Sequence, residues 1–166
     1  MSLKPTIDAA LTATAERLRA GSGAAVLKEL KNDVAMIDTS KENLSRRYAG
    51  VDPAIALPAV FEAKHPEGDP VAVGKRHDGL VVVFPDSIVV VRGIGFGARE
   101  VTVLGKDEIS VEPVSLALDG AQLPGLRVLD RRGKPKYAVG VALPDGQGDP
   151  AAAQAVRDEV LALLAG

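Results

Sequence analysis

The chain has no cysteine and no tryptophan, and only 3% of its 166 residues are aromatic. Without cysteine there is no disulfide and no thiolate nucleophile, so a metal site would have to use carboxylates and the two histidines. Those histidines, His65 and His77, flank a run of helix breakers, with no partner at helical spacing and no acidic pair at ligand spacing. Neither a metal nor a cofactor is expected. The shortage of rings removes the stacking platforms that bind single-stranded nucleic acid. A net charge of −2 removes bulk attraction to a phosphate backbone, so no nucleic-acid partner is expected. No run approaches the ~18 apolar residues of a membrane span. The N-terminal stretch MSLKPTIDAALTATAERLRAG carries acids inside its apolar pattern, unlike a secretory leader, and the Asn43–Ser45 sequon therefore carries no weight. A cytoplasmic location is the expectation.

Signatures of catalysis are also missing. There is no G-x-S-x-G, and LGKD at Leu104–Asp107 lacks the Ser/Thr and the upstream glycine of a phosphate-binding loop. The stretch RGIGFGARE, Arg92–Glu100, attracts attention because its glycines stand at 93, 95 and 97. That spacing misses G-x-G-x-x-G, and the residues after Gly97 alternate as a strand does, whereas a dinucleotide loop must open a helix whose free N–H groups meet the phosphates. The stretch reads as a β-hairpin. Asp107 and Glu108 are adjacent, so in a strand they point to opposite faces and make no carboxylate pair. Arg46 and Arg47, beside Tyr48, read as the solvated surface of a helix. No enzyme activity is expected.

What the chain does have is 46% apolar content, enough for a sizeable core, arranged in two textures. Over 1–65 the apolar residues recur at helical spacing: Ile7, Leu11 and Leu18, then Val26, Leu30, Val34 and Ile37. Pro5 suits a first helical turn, Gly21 a C-cap and Ser22 an N-cap. Thr39 and Glu42 form a capping box for a third short helix, and Asp52-Pro53 opens a fourth, interrupted at Pro58. HPEGDP, His65–Pro70, reads as a linker.

Beyond it, β-branched runs separated by turn residues give seven strands, at 71–76, 80–84, 87–92, 99–104, 109–115, 126–131 and 136–143. Asp78-Gly79, Pro85-Asp86, GKD at 105–107 and RGKP at 132–135 read as tight hairpin turns. Asp149-Pro150 then starts a C-terminal helix with Val156, Val160, Leu163 and Leu164 on one stripe. The fold class is α+β, with a helical N-terminal segment over 1–65 and a seven-stranded antiparallel split barrel plugged by a helix over 70–166.

Seven antiparallel strands followed by one amphipathic helix, and within them GLVVVFPDSIVVVRGIGFGAREVTVLGKDEISVEP, resemble the bacterial pleckstrin-homology-like domains. The likeness covers roughly 70–166 and includes the Ile-Ser-Val-Glu phrase at Ile109–Glu112. It implies that the turns between the first and second, third and fourth, and sixth and seventh of these expected strands gather at one open end, where lipid-binding relatives hold phosphoinositide headgroups. Carried over, that geometry gathers Lys75, Arg76, His77, Arg92, Arg99, Arg131, Arg132, Lys134 and Lys136, with Ile94 and Phe96 at an apolar loop tip.

Eight Lys/Arg opposed by Asp78, Glu100 and Asp130 leave five positive charges, worth about 5 kcal/mol beside an anionic bilayer, or roughly millimolar binding. Burial of Ile94 and Phe96 would add about 1.5–3 kcal/mol each. LVVVF, the second strand, carries none of the basic residues that lipid-binding relatives place there. The expected function is therefore a non-catalytic module that recruits a protein partner or assembles with itself, through a strand edge or the helical segment. The alternative is weak binding of anionic phospholipid, or another anionic ligand, at the basic end.

Overall fold

The runs at 80–84 and 88–91 have no polar alternation, so a strand made from either must be covered on both faces. The computed structural model, which describes residues 3–18, 34–37, 44–61, 79–94, 98–118, 121–141 and 150–165, shows both covers. Helix α1 (Lys4–Arg17), a helical turn at 34–37 and the short helix α2 (Leu44–Arg47) precede strands β1 (Ile55–Phe61), β2 (Gly79–Phe84), β3 (Ser87–Ile94) and β4 (Ala98–Gly105). A 3-10 turn (Lys106–Glu108) leads to β5 (Ile109–Leu118), β6 (Ala121–Asp130), β7 (Pro135–Val141) and helix α3 (Pro150–Ala165). All strand pairs are antiparallel, in the order β4-β3-β2-β1-β7-β6-β5, and the sheet curls into a half-barrel. This is the α+β architecture that the sequence implies.

Side chains alternate between the faces. Ile55, Leu57, Val81, Val83, Val90, Leu126, Val128 and Val139 point into the curl and meet Ala153, Val156, Val160 and Leu164 of α3. Ala56, Leu80, Val82, Phe84, Val89 and Val91 point outward and are covered by Ile7, Leu11, Val34, Ile37, Leu44 and Tyr48. The helical segment thus forms an outer layer, and β1 and β2 are buried at every position. Tyr48 stacks on Phe84 with ring centroids 4.0 Å apart, and its hydroxyl meets that of Ser87, so both buried hydroxyls have a partner. Leu18 joins the inner cluster, and Arg17 pairs with Glu159, so α1 reaches α3 at one edge of the curl.

Several expectations change. The fourth helix is instead β1, the central strand, which lies before the His65–Pro70 breakers and within the stretch expected to be helical. Proline inside a helix costs about 3 kcal/mol or more, whereas in a strand it forgoes at most one ladder bond, worth about 1 kcal/mol. The ladder to β7 begins at Ala59, so Pro58 stands just outside it. IALPAVF also has no polar face and so could not make a half-buried helix. GKD does not close a hairpin: β4 and β5 are at opposite ends of the strand order, and the 3-10 turn leads the chain from one to the other.

β6 starts at Ala121, not 126, and pairs with β5 over ten residues from Leu118↔Ala121 onward; Pro124 and Gly125 disguise its first half. On α3, Leu163 is exposed and Ala153 takes its place in the stripe, at spacings of three, four and four. The expected strand at 71–76, the linker, Asp78, Gly21, Ser22, Val26, Leu30 and the Thr39–Glu42 box lie outside the described residues.

The remaining expected turns hold. Phe84↔Ser87 closes a two-residue turn at Pro85-Asp86. At the other hairpin the Asp130 carboxylate accepts N–H bonds from Arg132 and Lys134, both at 2.9 Å, and Gly133 takes φ +80°, a conformation that favours glycine.

Candidate functional site

RGIGFGARE is a hairpin: Arg92 faces Glu100, Gly93 faces Arg99 and Ile94 faces Ala98, and β4 follows where a nucleotide loop would need a helix. The flanking cations are then the chemistry left to place.

Of the basic set, Lys75 and Arg76 lie outside the described residues, as do His77 and the tip residue Phe96. Arg99 and Ile94 are placed by strand register alone. The other five divide. Arg92 and Lys136 line a cavity of about 310 Å³ beyond the end of β1, together with Phe61, Tyr137, Arg127, Pro135 and Ala138. Arg131 and Arg132 line a separate cavity of about 280 Å³ with Leu104, Glu108 and Asp130, and Lys136 borders both. Arg131 Nε donates to the Asp107 carbonyl at 2.7 Å, which ties the β6/β7 turn to the 3-10 corner. Lys134 is exposed in its turn and borders neither cavity.

The first cavity lies beside Phe61, the last described residue of β1. Among the described residues the ladder to β7 runs to Phe61↔Val139, and Pro135–Ala138 pair only with β6. Phe61 and Tyr137 meet edge to face, with centroids 6.0 Å apart. The Arg92 guanidinium lies over the Phe61 ring at 5.8 Å. Among the described residues neither Arg92 nor Lys136 forms an ion pair, whereas Arg127 is paired with Glu112 at 2.9 Å. Reading by sequence misses Arg127, Phe61 and Tyr137 as site residues. The available signal was Arg127 standing between inward-facing Leu126 and Val128, which sends it to the outer face of β6.

A second feature lies at the sheet edge. β5 ends the strand order, and among the described residues it pairs only with β6. Along its first residues runs a groove of about 870 Å³, with Ile109, Ser110 and Val111 on one side, Leu164 and Ala165 at the end of α3 on another, and Arg47 at its border. Pro113 has no N–H to give β6, which suits an edge strand whose proline nitrogen faces out. By the period of two, Ile109 and Val111 turn their N–H groups to that same open side. Farther along, Arg157 Nη1 donates to the carbonyls of Val114 and Gly125 at 3.2 and 3.1 Å, anchoring α3 across both strands. The exposed Arg46 and Arg47 are surface residues, as expected, with Arg47 5.4 Å over the Tyr48 ring.

Among the described residues no cluster of three His, Asp or Glu could hold a metal, and no helix is long and apolar enough to cross a membrane. No protein-family model matches the chain, and no curated protein matches it.

Proposed function

We propose that this protein is a non-catalytic binding module of pleckstrin-homology-like type that recruits a protein partner by adding an extended segment of it to the outer edge of β5. The observation that carries the reading is the groove beside that edge: strand addition needs unpaired main chain for affinity and adjacent side-chain pockets for selectivity. The helical segment is spent on the outer face of β1–β4, with Ile7, Leu11, Val34, Ile37 and Leu44 fully buried, which leaves the edge as the better of the two expected surfaces. Pro113 limits the added ladder to the start of β5 and protects the rest from indiscriminate pairing.

Selection of peptides from a random display library on the immobilised full chain tests this. Sequences should be enriched on the wild type and lost on Val111→Pro, which removes an outward N–H, and on Ala165→Lys, which crowds the groove without touching the ladder. No enrichment, or enrichment unaffected by both substitutions, would sink the reading. Light scattering distinguishes a foreign partner from a second copy of the chain. A second reading, an anionic ligand, is favoured by Arg92 and Lys136 bordering one cavity without carboxylate partners among the described residues.

A further inference from the structure

We infer that the partner segment added to β5 runs antiparallel to it and reads, from its N-terminal side, apolar, polar, apolar, basic; this rests on the strand-addition reading above. Antiparallel addition continues the direction of every strand pair in the sheet. In such a pair, residues directly opposite each other put their side chains on the same face. Ile109 and Val111 pack against the inner cluster yet are only half-buried, whereas Ser110 between them is exposed. Partner residues opposite Val111 and Ile109 would complete the burial of those two side chains beside Leu164, which calls for apolar groups at both positions. The residue between them stands opposite Ser110, faces water and is polar. In the other direction the edge reaches Pro113, which has no N–H to offer, so recognition is confined to this short stretch.

Charge sets the fourth position. Past Ile109 the partner's next residue comes alongside the 3-10 turn, where Asp107 and Glu108 line the groove. Asp107 Oδ1 and Glu108 Oε1 lie 2.9 and 3.0 Å from the point where a Cβ on Gly105 would stand, so the two carboxylates share one small space. Both residues are exposed, and among the described residues neither forms an ion pair, whether with Lys106 or with Arg47 at the groove's border. Like charges this close repel, and an ammonium or guanidinium on the partner relieves the repulsion whereas a further carboxylate adds to it.

The test is fluorescence anisotropy of labelled, end-capped peptides titrated with the full chain: Gly-Ser-Val-Thr-Val-Lys-Ser-Gly, the same peptide with glutamate in place of lysine, and the reversed sequence. The lysine peptide should bind saturably and about fivefold or more tightly than either of the others. On Glu108→Lys, with unchanged circular dichroism, its advantage over the glutamate peptide should fall to about twofold or invert. On Val111→Pro all binding should be lost. Equal binding of the lysine and glutamate peptides, or of the reversed one, would overturn the inference while leaving strand addition intact. Silence from all three peptides would do the same if the display library still enriches other sequences, and would remove both readings if it enriches none. A preference for lysine unmoved by Glu108→Lys would place the peptide elsewhere and also overturn the inference.

Discussion

A methyl group at Gly79 would lie 1.8 Å from the Val91 carbonyl oxygen and 3.2 Å from the Phe61 ring. Because the nearest atom is backbone, relief requires β2 and β3 to separate, so Gly79→Ala should cost about 2–4 kcal/mol in urea denaturation. An unchanged midpoint would contradict the close approach of the two strands. Sequence reading does single out Gly79, but as half of a turn; the crowding that demands glycine comes from a neighbouring strand and from a ring 18 positions earlier, neither of which local pattern reveals. The buried hydroxyl pair gives a second residue-scale test. Tyr48→Phe leaves Ser87 with Asp86 at 3.1 Å and should cost about 1 kcal/mol. Ser87→Ala strands the buried Tyr48 hydroxyl and should cost more, about 1–3 kcal/mol. Equal denaturation midpoints for the two variants would argue against that order. Nothing in the sequence flagged this pair, since neither residue belongs to a motif and they are 39 positions apart.

At the scale of elements, α3 separates two apolar residues that the sequence grouped together. Val160 is fully buried within the curl while Leu163 is among the exposed large apolar residues. Val160→Ala should therefore cost about 1–3 kcal/mol, and Leu163→Lys should stay within about 0.5 kcal/mol of wild type, both read from thermal melts; a loss at Leu163 equal to that at Val160 would show the stripe turned the other way. Legibility differed between elements for physical reasons. β2, β3 and β4 were readable because Val and Ile runs bounded by Pro-Asp and Gly leave little choice. β1 and the first half of β6 were not, because Pro58, Pro124 and Gly125 are breakers by local rule and are tolerated only where ladder geometry spares them, a tertiary fact. Of the site, the cations Arg92 and Lys136 could be named from the sequence, but the company of Phe61 and Tyr137 and the split from Arg131 and Arg132 depend on how distant strands pair.

For the whole molecule, the two larger of three hydrophobic clusters are the two faces of the same strands: Ile55, Leu57 and Phe61 serve one and Ala56 the other, while Val60 joins Leu116 and Leu123 in the third. Inner and outer layers should then melt together, with a single transition seen by far-ultraviolet circular dichroism and by tyrosine fluorescence alike. Leu11→Asp, which puts a charge under the outer helices, should lower that one transition for the entire chain. Two separate transitions would mean that the outer layer folds independently of the curl. The expected division near residues 65–70 does not mark a break in the sheet, because β1 before it pairs with β2 and β7 after it.

The position of β1 also bears on synthesis. The strand at the middle of the sheet leaves the ribosome early, gains β2 next, and must keep its other flank open until β7, some 80 residues later, has been made. During that interval the nascent protein carries a sticky, half-finished ribbon, and this is the period when a chaperone is needed most. A chain stopped before β7 would keep that flank open for good and should go to inclusion bodies.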